Sequence, residues 1–246
     1  MSLALSEPAL AQTFDFPSGP YPTGISASQP TDAVTDMHVT LQSGVNVTGL
    51  AAPTPNAVDI FNQSVLPTNT FVVMENDATI NVTNVNGTGL HLQIGAQPGQ
   101  PAAQTGDNAT VTAAGTITVH SNAGGNFRQD AIGVFTGRDG AAANVIYTGP
   151  SGGVGGGPLD LISSGASNGT IIQANTQGAS GDAFVHVVSG NMLGFLDTNN
   201  RFFQGLSATV SGNGNATVLF DKGTLTVQGR NAAGIFAGNG DGGEGW

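Results

Sequence analysis

From residue 37 onward, apolar and polar residues alternate in short runs. The clearest is Thr116-Ile-Thr-Val119, in which Ile117 and Val119 share one side and Thr116 and Thr118 the other. A period of two places successive side chains on opposite faces, which predicts strands rather than helices. The same pattern predicts strands at His38–Leu41, Val45–Thr48, Val58–Phe61, Thr70–Met74, Ala78–Thr83 and Leu90–Ile94. It predicts more at Ala143–Tyr147, Leu159–Ile162, Thr170–Gln173, Ala183–Val188, Met192–Leu196 and Leu206–Val210. Gly, Asn, Pro and Asp separate the runs, and these residues suit turns. No stretch carries a sustained 3.6-residue apolar stripe.

The chain also repeats itself. Asn108–Gly140 returns in shortened form as Asn215–Gly242: Gly115-Thr-Ile-Thr-Val119 matches Gly223-Thr-Leu-Thr-Val227, and Ala131–Gly137 matches Ala232–Gly238. Strand, polar turn and strand recur together, as expected of stacked coils. A barrel or sandwich also offers many short strands, but the repeat favours a parallel β-helix, an all-β solenoid forming a single elongated domain. Asn and Thr in register should ladder along its outside. Coils of about 20 to 28 residues at ~4.8 Å spacing give roughly nine coils and a rod of about 45 Å.

Three segments are expected along the chain. Residues 1–11 end in Ala9-Leu10-Ala11, a small-x-small signal-peptidase pattern, and read as a residual secretory signal segment. Residues 12–36, dense in Pro, Gly and Ser, read as an irregular N-terminal cap or leader. Residues 37–246 read as the β-helix, the N-terminal part of a longer solenoid. The Gly95–Gly106 loop belongs outside the stack, and Gly152–Gly157 is a flexible insertion.

Composition sharpens this picture. Only 9% of the residues are charged and 6% aromatic, against 38 glycines and 39% hydrophobic residues, so the core must use small and β-branched side chains. A net charge of −11 with five Lys and Arg leaves no basic footprint for nucleic acid. With no cysteine, disulfides and thiolate metal sites are excluded.

Gly223-Thr-Leu-Thr-Val-Gln-Gly229 followed by Asn231–Gly240, and the matching Asn108–Gly140, resemble repeats of bacterial autotransporter passenger domains (type V secretion). The resemblance implies a right-handed parallel β-helix. It also implies export by a cleaved signal and display on the bacterial cell surface or outside the cell. The implied partner is an outer-membrane β-barrel translocator in the same full-length chain, beyond the stretch ending at Trp246.

No catalytic, cofactor-binding or metal residue is assigned. Gly165-Ala-Ser167-Asn-Gly169 fits a hydrolase nucleophile elbow, but a strand rather than a helix follows it, so Ser167 reads as a turn residue. Gly238–Gly243 fits a dinucleotide fingerprint with no helix to open, and Asn239–Glu244 is a nearly solitary Gly/Asp turn where calcium binding would want tandem copies. His38, His91, His120 and His186 lack metal-ligand spacing, and the last three read as outward ladder residues. A carboxylate pair would have to come from Asp130, Asp139, Asp160, Asp182, Asp197 or Asp221, with Arg128, Arg138 or Lys222 as the neighbouring base. Most of these Asp are expected in turns. The Asn-x-Thr triplets at Asn46, Asn81, Asn108 and Asn215 follow from the abundance of both residues.

Two functional classes follow. The first is a non-enzymatic stalk or adhesin-like interaction domain, with a host-surface or carbohydrate ligand and a tendency to self-associate through open coil edges. The second is a β-helical polysaccharide lyase or glycoside hydrolase. An ice-binding solenoid would want regular Thr-x-Thr ranks, and only Thr116/Thr118 and Thr224/Thr226 supply them.

Overall fold

The computed structural model describes residues 11–51, 56–83, 87–95, 107–121, 129–165, 168–196, 202–229 and 231–239. Within them the chain forms twenty strands and no helix. The first coil comprises β1 (Gln12–Phe16), β2 (Gly19–Tyr21) and β3 (Ile25–Gln29), and the second β4 (Met37–Leu41), β5 (Val45–Val47) and β6 (Val58–Asn62). The third holds β7 (Thr70–Met74), β8 (Thr79–Thr83) and β9 (Leu90–Ile94), and the fourth β10 (Asn108–Ala113), β11 (Thr116–Ser121) and β12 (Gln129–Thr136). The fifth contains β13 (Ala142–Thr148), β14 (Leu161–Gly165) and β15 (Gly169–Thr176). In the sixth, β16 (Ala183–Leu196) runs through one corner without a break and is followed by β17 (Phe202–Val210). The seventh holds β18 (Ala216–Phe220), β19 (Gly223–Gln228) and β20 (Asn231–Asn239).

Every pairing is parallel and joins one coil to the next, so the chain is a three-sided parallel β-helix. Sheet A follows β1-β4-β7-β10-β13-β16-β18, sheet B β2-β5-β8-β11-β14-β16-β19, and sheet C β3-β6-β9-β12-β15-β17-β20. The interior is made of stacked columns. Val39, Val72, Val111, Val145 and Val185 lie one above another on sheet A. Val47, Ile80, Ile117, Leu161 and Met192 do the same on sheet B, and Ile60, Leu92, Val134, Ala174 and Ala208 on sheet C. All fifteen are buried, and each large aliphatic removed from water contributes about 1.5–3 kcal/mol. Columns of like shape allow this with few large aromatics, Tyr147 and Phe203 being the fully buried ones among the described residues.

Two expectations about the coils are corrected. Among the described residues seven coils, rather than nine, stack to about 30 Å at ~4.8 Å per coil. The reason is a third strand in each turn: along sheet A, Met37 lies opposite Thr70 and Ala143 opposite Ala183, so a coil measured on that sheet takes 33 to 40 residues in the body of the stack. The two copies of the repeat therefore each supply all three strands of one coil, β10–β12 and β18–β20. The Pro- and Gly-rich stretch at 12–36 is not irregular either, because β1, β2 and β3 pair in register with β4, β5 and β6. Three- and five-residue strands tolerate Pro20 because it lies on an end strand, where its missing N–H need not serve a ladder.

The glycine that opens the second strand of the repeated motif has a steric reason. A Cβ on Gly115 would sit 2.1 Å from the Ala78 carbonyl oxygen of the coil before, and a Cβ on Gly223 1.8 Å from that of Gly190. The backbone crosses the corner too close to its neighbour for any side chain.

Candidate functional site

At the corner leading into sheet A, the side chain of one coil accepts the backbone N–H of the next. Asp36 Oδ1 accepts from Asn69 N (2.8 Å), Asn69 Oδ1 from Asn108 N (3.1 Å) and Asp182 Oδ1 from Asn215 N (2.7 Å). Asp139 Oδ1 takes the N–H of Ala179 in the same manner (2.6 Å). Asp160 anchors the glycine-rich segment 149–157: Ser151 N–H donates to Oδ1 (3.0 Å), the Ser151 hydroxyl and Asn191 N–H donate to Oδ2, the latter at 2.8 Å. The turn expectation therefore holds for Asp139, Asp160 and Asp182, whose oxygens join neighbouring segments of the coil stack.

Of the basic candidates, Arg138 pairs not with adjacent Asp139 but with Asp107. Both are buried, and Arg138 Nη1 also donates to the Leu66 carbonyl (3.4 Å). One guanidinium thus ties together three successive passages of the chain around the corner between sheets C and A. Burial pushes its pKa below the usual arginine value. Asp221, next to Lys222, contacts His186 Nε2 at 2.8 Å on the surface. Asp130 is buried in β12. Asp197, Arg128, Ser167 and Gly240–Glu244 lie outside the described residues. Among the described residues no group of three or more His, Asp or Glu is placed to hold a metal ion.

Each histidine does face outward and meets another coil. His38 stacks on Phe71 (ring centroids 5.0 Å apart), and His120 Nδ1 lies 2.8 Å from Ser164 Oγ. His91 is the most elaborately held. Its Nδ1 lies 2.7 Å from Asp59 Oδ1, which also accepts from Asn56 Nδ2 (2.8 Å), while Asn56 Oδ1 accepts the Thr88 N–H (2.9 Å). Because a carboxylate oxygen only accepts, Nδ1 carries a proton, and in the neutral imidazole Nε2 is then the ring acceptor.

This relay belongs to a strip on the outer face of sheet C that the sequence reading missed. In register, Asp59, His91, Gly133, Gln173 and Ser207 form one outward row, and Phe61, Gln93, Phe135, Asn175 and Thr209 the next. The Phe135 ring lies beside His91 (centroids 5.4 Å, planes at 42°) and leans over Gly133, where a Cβ would come within 2.8 Å of its Cε2. Beyond it, Gln173 and Asn175 are 1% and 8% exposed. Their outer position was concealed because all eight residues of β15 are buried, so burial does not alternate there.

Compared with known proteins, the chain matches no family model, no curated protein and no solved structure.

Proposed function

We propose that the chain is the passenger region of an autotransporter: a non-enzymatic, surface-displayed stalk with an adhesin-like outer face, carried outward by an outer-membrane β-barrel of the same polypeptide. The observation that carries this reading is the use made of the outward polar side chains. Asp36, Asp139 and Asp182 are bound to the backbone of the next coil, and Thr79 Oγ1 donates to Asn46 Oδ1 (3.1 Å) along sheet B. Carboxylates committed to stacking serve the rod rather than a reaction; a glycosidase or lyase would need two of them turned together toward a sugar.

The test is surface digestion. Bacteria expressing the full-length gene are treated with an external protease and probed with antibody against this chain. Loss of the signal from intact cells supports display; a signal that stays protected until the cells are lysed overturns it. Release of reducing sugar from surface polysaccharide by the purified chain would replace the stalk with the β-helical enzyme.

A further inference from the structure

The outer strip of sheet C has an unusual balance of polar groups. Gln173 Oε1 and Asn175 Oδ1 are both buried and have no hydrogen-bond partner. Alternation from the inward Ile172 and Ala174 places both on the outer face, two residues apart on one strand. Burying a carbonyl oxygen without a donor is unfavourable, so two together mark a place arranged for something other than the fold. His91 Nε2, the acceptor of the neutral ring whose Nδ1 proton goes to Asp59, stands on the same face two coils away, about 10 Å at the spacing of the stack. Between them lies the half-buried Phe135 ring, which fills the space above the buried Gly133.

Acceptors at both ends and an apolar ring between them call for a ligand that brings many donors and an apolar face of its own. We propose that this strip is a binding site for a neutral saccharide lying along the axis of the rod. Its hydroxyls donate to Gln173 Oε1, Asn175 Oδ1 and His91 Nε2, and its C–H face rests on Phe135. The lack of basic side chains among these residues, in a chain of net charge −11, disfavours anionic sugars. The proposal rests on the adhesin-like reading and names its ligand class. Its test uses the purified chain in solution, so failure of sugar binding and failure of surface display are separate results.

The 246-residue protein is titrated by calorimetry with cellotetraose, mannotetraose and the tetramer of N-acetylglucosamine, and examined by saturation-transfer NMR. At least one is expected to bind, with transfer concentrated on ring C–H protons. Phe135→Ala and Asn175→Leu are expected to weaken binding by about tenfold or more. Asn175→Leu and Gln173→Met should also hold or raise the melting temperature, because each removes a buried oxygen without a donor. A purely structural amide would show the opposite change in stability. Absence of binding by all three sugars, or unchanged affinity in both amide variants, overturns the proposal. So does affinity that collapses in high salt, which would mark an organic cation as the ligand.

Discussion

His91 donates from Nδ1 to Asp59 Oδ1 across a coil boundary at 2.7 Å, and the same oxygen accepts Asn56 Nδ2 at 2.8 Å. One carboxylate oxygen therefore fixes both the turn before β6 and the imidazole on β9. Asp59→Ala leaves two largely buried donors without this acceptor, and the expected loss is about 1–3 kcal/mol. Asp59→Asn keeps an accepting oxygen and should lose less. Urea midpoints at constant m-value check the order; equal losses would mean that the oxygen is not what matters.

Arg138 and Asp107 form the buried ion pair of the corner between sheets C and A. Removing one partner strands a charge out of water, whereas removing both removes the problem with it. Arg138→Ala is expected to cost about 3–5 kcal/mol. The double variant Arg138→Met with Asp107→Leu should recover much of that. A double-mutant cycle by chemical denaturation measures the coupling, and a double variant no better than the single would refute it.

The fold was readable because alternation and repetition are local. Ile117 and Val119 alternate with threonines in sequence, and the copy at Leu225 and Val227 stands in the same register three coils on. Coil length was not readable, since it depends on corners: 25 residues separate the paired Gln12 and Met37, and 40 separate Ala143 and Ala183. The sheet C strip stayed hidden for the same reason. Asp59, His91 and Gln173 come from coils joined by turns of unequal length, and nothing in the spacing of Asp59 to His91 predicts that of His91 to Gln173. His91, His120 and His186 were placed correctly on outer faces because their strands alternate cleanly; their partners needed the register.

Tyr147 links stability to alkaline pH. Its hydroxyl donates to the Gly115 carbonyl (2.9 Å) in the core, and burial, followed by the nearby charge of Asp160, raises its pKa well above that of a free tyrosine. A raised pKa means that the folded chain holds the phenol proton after the unfolded chain has released it. The contribution is thus complete below about pH 10, the unfolded value, and declines as pH rises beyond it. Tyr147→Phe is expected to cost about 1 kcal/mol at neutral pH, through the lost hydrogen bond, while making the stability curve flatter above pH 10. Urea midpoints across that range decide the matter; parallel curves for the two proteins would exclude Tyr147 as the source.

The seventh coil presents an edge with consequences in solution. Among the described residues, β18, β19 and β20 pair on one side only, with β16 and β17. Ile235, which continues the column of Leu206, is 53% exposed, and Leu225 and Val227 are only partly buried. Unpaired backbone donors and acceptors beside half-covered aliphatics favour strand addition from another molecule. We therefore expect the 246-residue chain to associate as its concentration rises, through this edge. Val218→Lys with Val227→Lys places charge in the line of the next coil and should return the chain to monomer with the other coils intact. Sedimentation velocity over a wide concentration range reads both proteins. A native chain that stays monomeric throughout, or a lysine variant that associates equally, would locate the stickiness elsewhere or deny it.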